Sequence, residues 1–333
     1  MLASVKDAFT PRDYEDKKRR NVSAARKQPN ATIRFYNNII RRKFMDLEQK
    51  SIERLKMASE MSLRYYGQPL MVTYSGGKDS DVMLELVIRS GIPFELQNSH
   101  TTADAPETVR YIRKKFYELE QKGIKCTIDK PTYQGKPISM WSLIPIKLIP
   151  PTRIARYCCQ VLKEGAGDGR MITTGVRWDE SSQRSTRGEM EIVGRTKKDA
   201  IILTNDNNDN RRFFEKCEMR AKSVCNPIIE WTNSDIWEFI HSEKIETNIL
   251  YQQGFDRVGC IGCPMASKKR YFEFARYPKY KNLYIRSFDR MVKERLRRGL
   301  ETQWKSGEEV FAWWMNEDIN QITIDDWIGG NND

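Results

Sequence analysis

The run Leu70-Met71-Val72-Thr73-Tyr74, followed at once by Ser75-Gly76-Gly77-Lys78-Asp79-Ser80, constrains this chain more than any other stretch. A short apolar segment with a β-branched centre reads as a buried strand, and residues 81–89 read as a helix. A glycine pair between strand and helix lets the backbone turn sharply and approach a ligand closely. Amides at the helix start then point at an anion, with the positive end of the helix dipole behind them. Ser75 and Ser80 offer hydroxyls and Lys78 a mobile cation. Asp79 offers a carboxylate that either orients the loop or helps to hold Mg2+. The spacing is not Walker A, because the four-residue spacer before Gly-Lys is missing, and it is not GxGxxG.

Alternation continues beyond the loop. Residues 94–97, 125–128 and 171–174 read as strands and 107–120 as a helix, which predicts a parallel α/β sheet. Met190–Val193 and Ile201–Leu203 are further short strands, 205–210 is an exposed Asn/Asp loop, and 232–240 is a helix capped near Thr232 or Ser234. Residues 276–298 read as one basic helical region. The expected organisation is a basic helical extension over 1–67, a nucleotide-binding α/β domain over 68–266, and a basic helical region with a tail over 267–333. Ligands of such sheets sit beyond the carboxyl ends of the strands, so His100 and Asp104 are expected beside the nucleotide. Trp231, Trp237, Trp304, Trp313, Trp314 and Trp327 read as packing residues.

Composition narrows the class. Of 333 residues, 39% are hydrophobic and 31% charged, a globular balance. No run reaches the roughly 18 apolar residues of a membrane span, and residues 1–20 lack the apolar core of a secretory signal, so a cytoplasmic protein is expected. The net charge of +12 is clustered: residues 1–56 hold 15 Lys and Arg against 7 Asp and Glu, and residues 268–298 hold 12 against 3. Such segments suit a polyanion such as DNA or RNA, or else form solvated helix faces.

Seven cysteines are present. Cys158 and Cys159 are adjacent, and Cys260 and Cys263 form Cys-x-x-Cys. The latter pair alone is compatible with half a zinc site or a redox motif. Adjacent cysteines suit tetrahedral zinc poorly, whereas an iron–sulfur cluster offers each thiolate its own iron. Cys126, Cys217 and Cys225 lie outside this pattern and read as buried small hydrophobes.

The loop matches the signature called the PP-loop, and the chain is similar to the N-type ATP pyrophosphatase and adenylylsulfate reductase superfamily. Further blocks carry the resemblance in order: Tyr157-Cys158-Cys159, Gly175-Val176-Arg177 with Glu180-Ser181 and Arg184, Asn226-Pro227-Ile228-Ile229-Glu230-Trp231, Asp235-Ile236-Trp237, and the run from Gly254 to Pro264 holding Arg257, Cys260 and Cys263. The resemblance implies a doubly wound parallel sheet of the adenine nucleotide alpha-hydrolase-like kind. It also implies ATP or another adenine nucleotide on the loop with Gly175 nearby, and Arg177 and Arg184 facing its acidic end. A 4Fe-4S cluster on Cys158, Cys159, Cys260 and Cys263 follows from the same resemblance.

Reductases of this superfamily use a cysteine near the C-terminus as nucleophile, and residues 264–333 contain none. The expected reaction is therefore cleavage of ATP to AMP and pyrophosphate, with Mg2+, activating a substrate for sulfur transfer. Members that thiolate tRNA or act in DNA phosphorothioation point the same way, and a cysteine desulfurase or other sulfur donor would be the partner. Adenylylsulfate reduction with a partner thiol is the second expectation, and a nucleotide-binding module without turnover the third.

Overall fold

The computed structural model describes residues 31–163, 165, 167–181, 184–193, 201–203 and 222–316. Contacts divide the chain into two units, Met1–Asp46 and Leu47–Asp333. The second half of helix α1 (Ala31–Met61) gives Leu55 and Ala58 to the main core, both fully buried. Arg54 donates there to Pro227 O at 3.1 Å and pairs with Glu189 and Glu230.

Seven strands form the main sheet: β1 (Leu70–Thr73), β2 (Phe94–Ser99), β3 (Cys126–Asp129), β6 (Met171–Thr173), β7 (Met190–Val193), β8 (Ile201–Leu203) and β9 (Lys222–Cys225). A separate two-stranded hairpin joins β4 (Thr132–Tyr133) to β5 (Lys136–Pro137). The order is β3-β2-β1-β6-β9-β7-β8. The first five are parallel, and the order reverses between β1 and β6, as in a doubly wound sheet with its ligand crevice at that point. The expectation of parallel strands needs correction at one edge. β7 runs antiparallel to β9, and β8 antiparallel to β7. The central strand β9, Lys222-Ser223-Val224-Cys225, was not anticipated, since its composition has only one β-branched residue.

Helices follow the strands as expected, with boundaries moved by capping. α2 (Lys78–Ser90) begins inside the glycine loop, and Pro106 opens α3 (Pro106–Glu120). α4 (Met140–Lys147) and α5 (Tyr157–Leu162) lie between β5 and β6. Thr232 caps α6 (Asn233–Ser242) by accepting from Asp235 N. A short helix that was not anticipated, α7 (Lys269–Arg276), precedes α8 (Pro278–Arg297), which is the basic helical region expected over 276–298, and Pro278 keeps Tyr277 between them out of the helical region. α9 (Gly307–Met315) closes the described chain. Among the described residues no helix is long and apolar enough to cross a membrane.

Two hydrophobic clusters organise these elements. The first joins α1, α2, α3 and α6 to the sheet. The second joins α4, α5, the Cys260 segment, α7, α8 and α9. At its centre Trp314 is fully buried, donates from its indole to Pro151 O at 2.6 Å, and lies 4.7 Å from the Tyr284 ring and 5.4 Å from Phe288. Trp231 and Trp304 are also buried, whereas Trp237 and Trp313 are half-buried. Trp327, Cys217 and the 205–210 loop lie outside the described residues. Part of the clustered basic charge is structural. Arg270 is buried against the Trp314 ring, and Arg295 donates to the carbonyls of Leu148 and Glu301.

Trp314→Ala removes a fully buried indole and its hydrogen bond and is expected to cost about 3–5 kcal/mol in urea unfolding. Half-buried Trp313→Ala should cost less than half as much, and equal losses would contradict this account of the second cluster.

Candidate functional site

The loop 75–80 leaves the end of β1 and enters α2 at the edge of the β1/β6 crevice. Gly76 adopts φ +70°, and a Cβ there would meet Ile112 Cγ1 at 2.9 Å, so a side chain would face both backbone strain and collision. Gly77 N donates to Ser80 Oγ at 3.1 Å, Ser80 Oγ donates to Gly77 O at 2.7 Å, and Ser75 Oγ donates to Ser80 Oγ at 3.3 Å. The two serines therefore close the turn on itself. Gly175, after β6, comes so near that a Cβ would lie 3.2 Å from Asp79 C and O.

Asn248, fully buried, holds the loop from outside. It donates to Gly76 O at 3.3 Å and Thr108 Oγ1 at 3.1 Å, and accepts from Leu250 N at 3.1 Å. Tyr251, on the short turn Ile249–Gln253, accepts from Lys78 N at 2.9 Å. Neither residue was anticipated, since that turn shows no periodicity and no glycine pattern.

Charge at the loop is balanced by a chain of ion pairs. Lys78 Nζ lies 2.9 Å from Asp79 Oδ2, and Arg177 Nε lies 2.7 Å from Asp79 Oδ1. Arg177 is buried and also donates to Trp231 O at 3.1 Å. Both Asp79 oxygens are thus committed to cations, which makes it the organiser of Lys78 and Arg177. Arg184 pairs with Glu180. Burial lowers its pKa first, and the charges of Arg257, Arg187 and Arg156 lower it further against the pull of Asp79. Four guanidinium groups therefore share one electrostatic neighbourhood with the loop, and an anion there would relieve their repulsion.

Beneath the loop, buried Asp81 accepts from Tyr74 OH at 2.6 Å and from Tyr111 OH at 3.1 Å. Its second oxygen has no partner. Desolvation pushes this carboxyl up to about 7, against the help of the two hydroxyls. The position is legible in the sequence as the residue after Ser80, but nothing there signals its burial.

Asp104, with His100 beside it, borders the cysteine segment. Asp104 bridges the backbone of Cys260, accepts from Thr101 N at 2.9 Å, and has His100 Nδ1 at 3.5 Å. Burial alone would raise its carboxyl, but the His100 contact, the Lys163 charge and the Thr101 amide hold it below its ordinary value.

Cys158 and Cys159 open α5, and Cys260 and Cys263 lie in the turn before Pro264. All four are free thiols and half-buried. They sense one another: the hydrogen bond to Cys159, burial, and the charges of Cys159, Cys260 and Cys263 all raise the Cys158 thiol. Cys159 is pulled down to about 5 by its bond with Cys158 and by Arg156, whose Nη2 lies 3.5 Å away. Cys260 is pushed up to about 11 by burial, with Lys163 opposing. The charges of Cys260, Asp104, Cys159 and Cys263 raise Lys163 in turn. Among the described residues no three His, Cys, Asp or Glu side chains converge on a single-ion site. Gly262 makes the Cys-x-x-Cys turn possible, with φ +73° and only 2.4 Å between a built Cβ and Phe274 Cζ. Cys225 is fully buried and Cys126 half-buried, with thiols pushed up to about 12 and about 11 by burial, as befits packing residues.

Residues 69–266 match the family model described as phosphoadenosine phosphosulfate reductase domain. An uncharacterised protein of Methanocaldococcus jannaschii is 27% identical over 208 residues, 59% of this chain and 36% of its own length. A second from the same organism is 26% identical, over 74% of this chain and 52% of its own length, so the chain spans about a third to half of these relatives. An adenosine 5'-phosphosulfate reductase of Staphylococcus haemolyticus is 23% identical over 61% of this chain and 74% of its own length. Among solved structures, the U34-tRNA thiolase of Methanococcus maripaludis, with its 4Fe-4S cluster, aligns with TM-score 0.37 and 14% identity, over 77% of this chain and 82% of that one.

Asp81 has its folded pKa raised from 3.8 to about 7, so the native state binds the extra proton between those values. Stability must then fall as pH rises through that window, by on the order of 2 kcal/mol between pH 5 and 8. Asp81→Asn should flatten that slope in urea titrations at several pH values, and an unchanged slope would contradict the assignment. Arg177→Lys, which cannot serve Asp79 and Trp231 O together, is expected to weaken nucleotide binding at least about tenfold by calorimetry.

Proposed function

The chain belongs to the phosphoadenosine phosphosulfate reductase domain family, and on that premise we propose that it binds ATP on the loop 75–80 and cleaves it to AMP and pyrophosphate, activating a substrate for sulfur transfer. The observation that carries this reading is the loop itself, a glycine turn at the start of α2 with Lys78 and Arg177 converging on Asp79. The N-terminal end of α2 and the Lys78 ammonium receive the departing pyrophosphate, where fixed donors lower the cost of developing charge. Arg184, with Arg156, Arg187 and Arg257 around it, draws in the anionic substrate. An oxygen or base atom of the acceptor attacks the α-phosphorus, the bond to the β-phosphate oxygen breaks, and an adenylylated acceptor forms. A sulfur donor, such as a cysteine desulfurase relay, then displaces AMP. A nucleic acid is the proposed acceptor, supported by the basic segments 1–56 and 268–298.

Asp79 does not fit as a Mg2+ ligand while both its oxygens hold cations, and no step is routed through that ion. The four cysteines fit a 4Fe-4S cluster in their donor chemistry, as free thiols on two segments that pack on the same hydrophobic cluster. Cys158, Cys159, Cys260 and Cys263 would hold it, and it would supply electron-transfer chemistry. The second reading, reduction of adenylylsulfate with a partner thiol, is favoured by the likeness to the staphylococcal reductase.

Anaerobically purified protein with Mg-ATP is expected to release AMP and pyrophosphate, faster with tRNA or DNA, and Lys78→Ala should lower the rate about 100-fold or more. Sulfite release from adenylylsulfate, with ATP untouched, would select the second reading. Cys260→Ser should abolish iron binding and the visible absorbance of the purified protein, and full retention of both would remove the cluster.

A further inference from the structure

We propose that Tyr251 is a positioning residue of the phosphate loop, its hydroxyl oxygen accepting from the backbone amide of Lys78 so that it sets the first turn of α2. Lys78 N is the first amide of α2 and has no acceptor within its own helix. Tyr251 supplies one at 2.9 Å, and the phenol oxygen lies 3.5 Å from where a Gly77 Cβ would stand, against the middle of the loop.

The turn that carries Tyr251 is not free to drift. Asn248, just ahead of it, is bonded to Gly76 O and to Thr108 Oγ1. The Tyr251 ring meets Trp237 edge-on at 5.2 Å, and the two line an open cleft of about 840 Å3 between α3 and α6. Burial keeps the phenol protonated. Having accepted from the Lys78 amide, the phenol keeps its hydroxyl hydrogen to donate. The Lys78 N–H is thereby committed to Tyr251, and what Tyr251 offers a phosphate oxygen in its place is the hydroxyl hydrogen. This consequence rests on the nucleotide reading of the loop.

Tyr251→Phe keeps the ring and its contact with Trp237 while deleting the oxygen. Two measurements test the role: amide hydrogen exchange at Lys78 in the free protein, and calorimetric binding of Mg-ATP and of inorganic pyrophosphate. Exchange at the Lys78 amide is expected to quicken about tenfold, with the remaining core amides unchanged, and both anions should bind roughly tenfold more weakly. Unchanged exchange, or quicker exchange with undiminished affinity, overturns the role of Tyr251. Wild-type protein that protects the Lys78 amide but binds neither anion would overturn the nucleotide reading, and Tyr251's part in anion binding with it.

Discussion

The ion pair between Arg177 and Asp79 holds three segments of the chain in one place. Asp79 belongs to the first turn of α2, Arg177 to the loop after β6, and the carbonyl of Trp231 that takes the other end of the guanidinium follows β9. Those strands are neighbours in the sheet, so one buried side chain fastens the mouth of the crevice across the reversal of strand order. A buried guanidinium is tolerable only when its donors are met, and here a carboxylate and a carbonyl meet them. The same carboxylate steadies Lys78 through its other oxygen. The cations of the loop are thereby aimed before any anion arrives, and preorganisation of that kind lowers the cost of binding charge.

The cysteine constellation depends on a different support. Its two halves lie far apart in sequence, and the second hydrophobic cluster brings them together. Tyr284 donates to Ile261 O at 2.9 Å and Glu273 accepts from Gly262 N at 2.7 Å, so α7 and α8 grip the Cys-x-x-Cys turn directly. The region beyond 266 is accordingly a framework for the thiols, and this accounts for buried Arg270 and Arg295 within a segment whose charge pointed outward. Lys163 and Asp104 link this centre to β2 and α5.

Much of this was legible in order along the chain. The glycine turn, the alternation of strands and helices, the cap at Thr232 and the paired cysteines are local signals, set by backbone sterics and by what neighbouring residues can bond. Helix and strand ends shifted by a few residues because capping and proline decide them. β9 was missed because a central strand with a single β-branched residue owes its state to neighbours on both sides, not to its composition. Its position between β6 and the antiparallel β7 could not be read from local propensity.

By itself, then, the sequence determined the glycine loop after β1, the parallel core of the fold and the paired cysteines, since each is a property of a short stretch whose geometry its own residues enforce. Tertiary structure alone decided that Asp79 serves two cations, that Asp104 bridges Cys260, that Asp81 is buried with one oxygen unpartnered, and that Asn248 and Tyr251 hold the loop from 172 and 173 residues away. Those outcomes depend on which distant groups share a buried volume. Desolvation and pairing act through space, and a linear pattern carries no record of them.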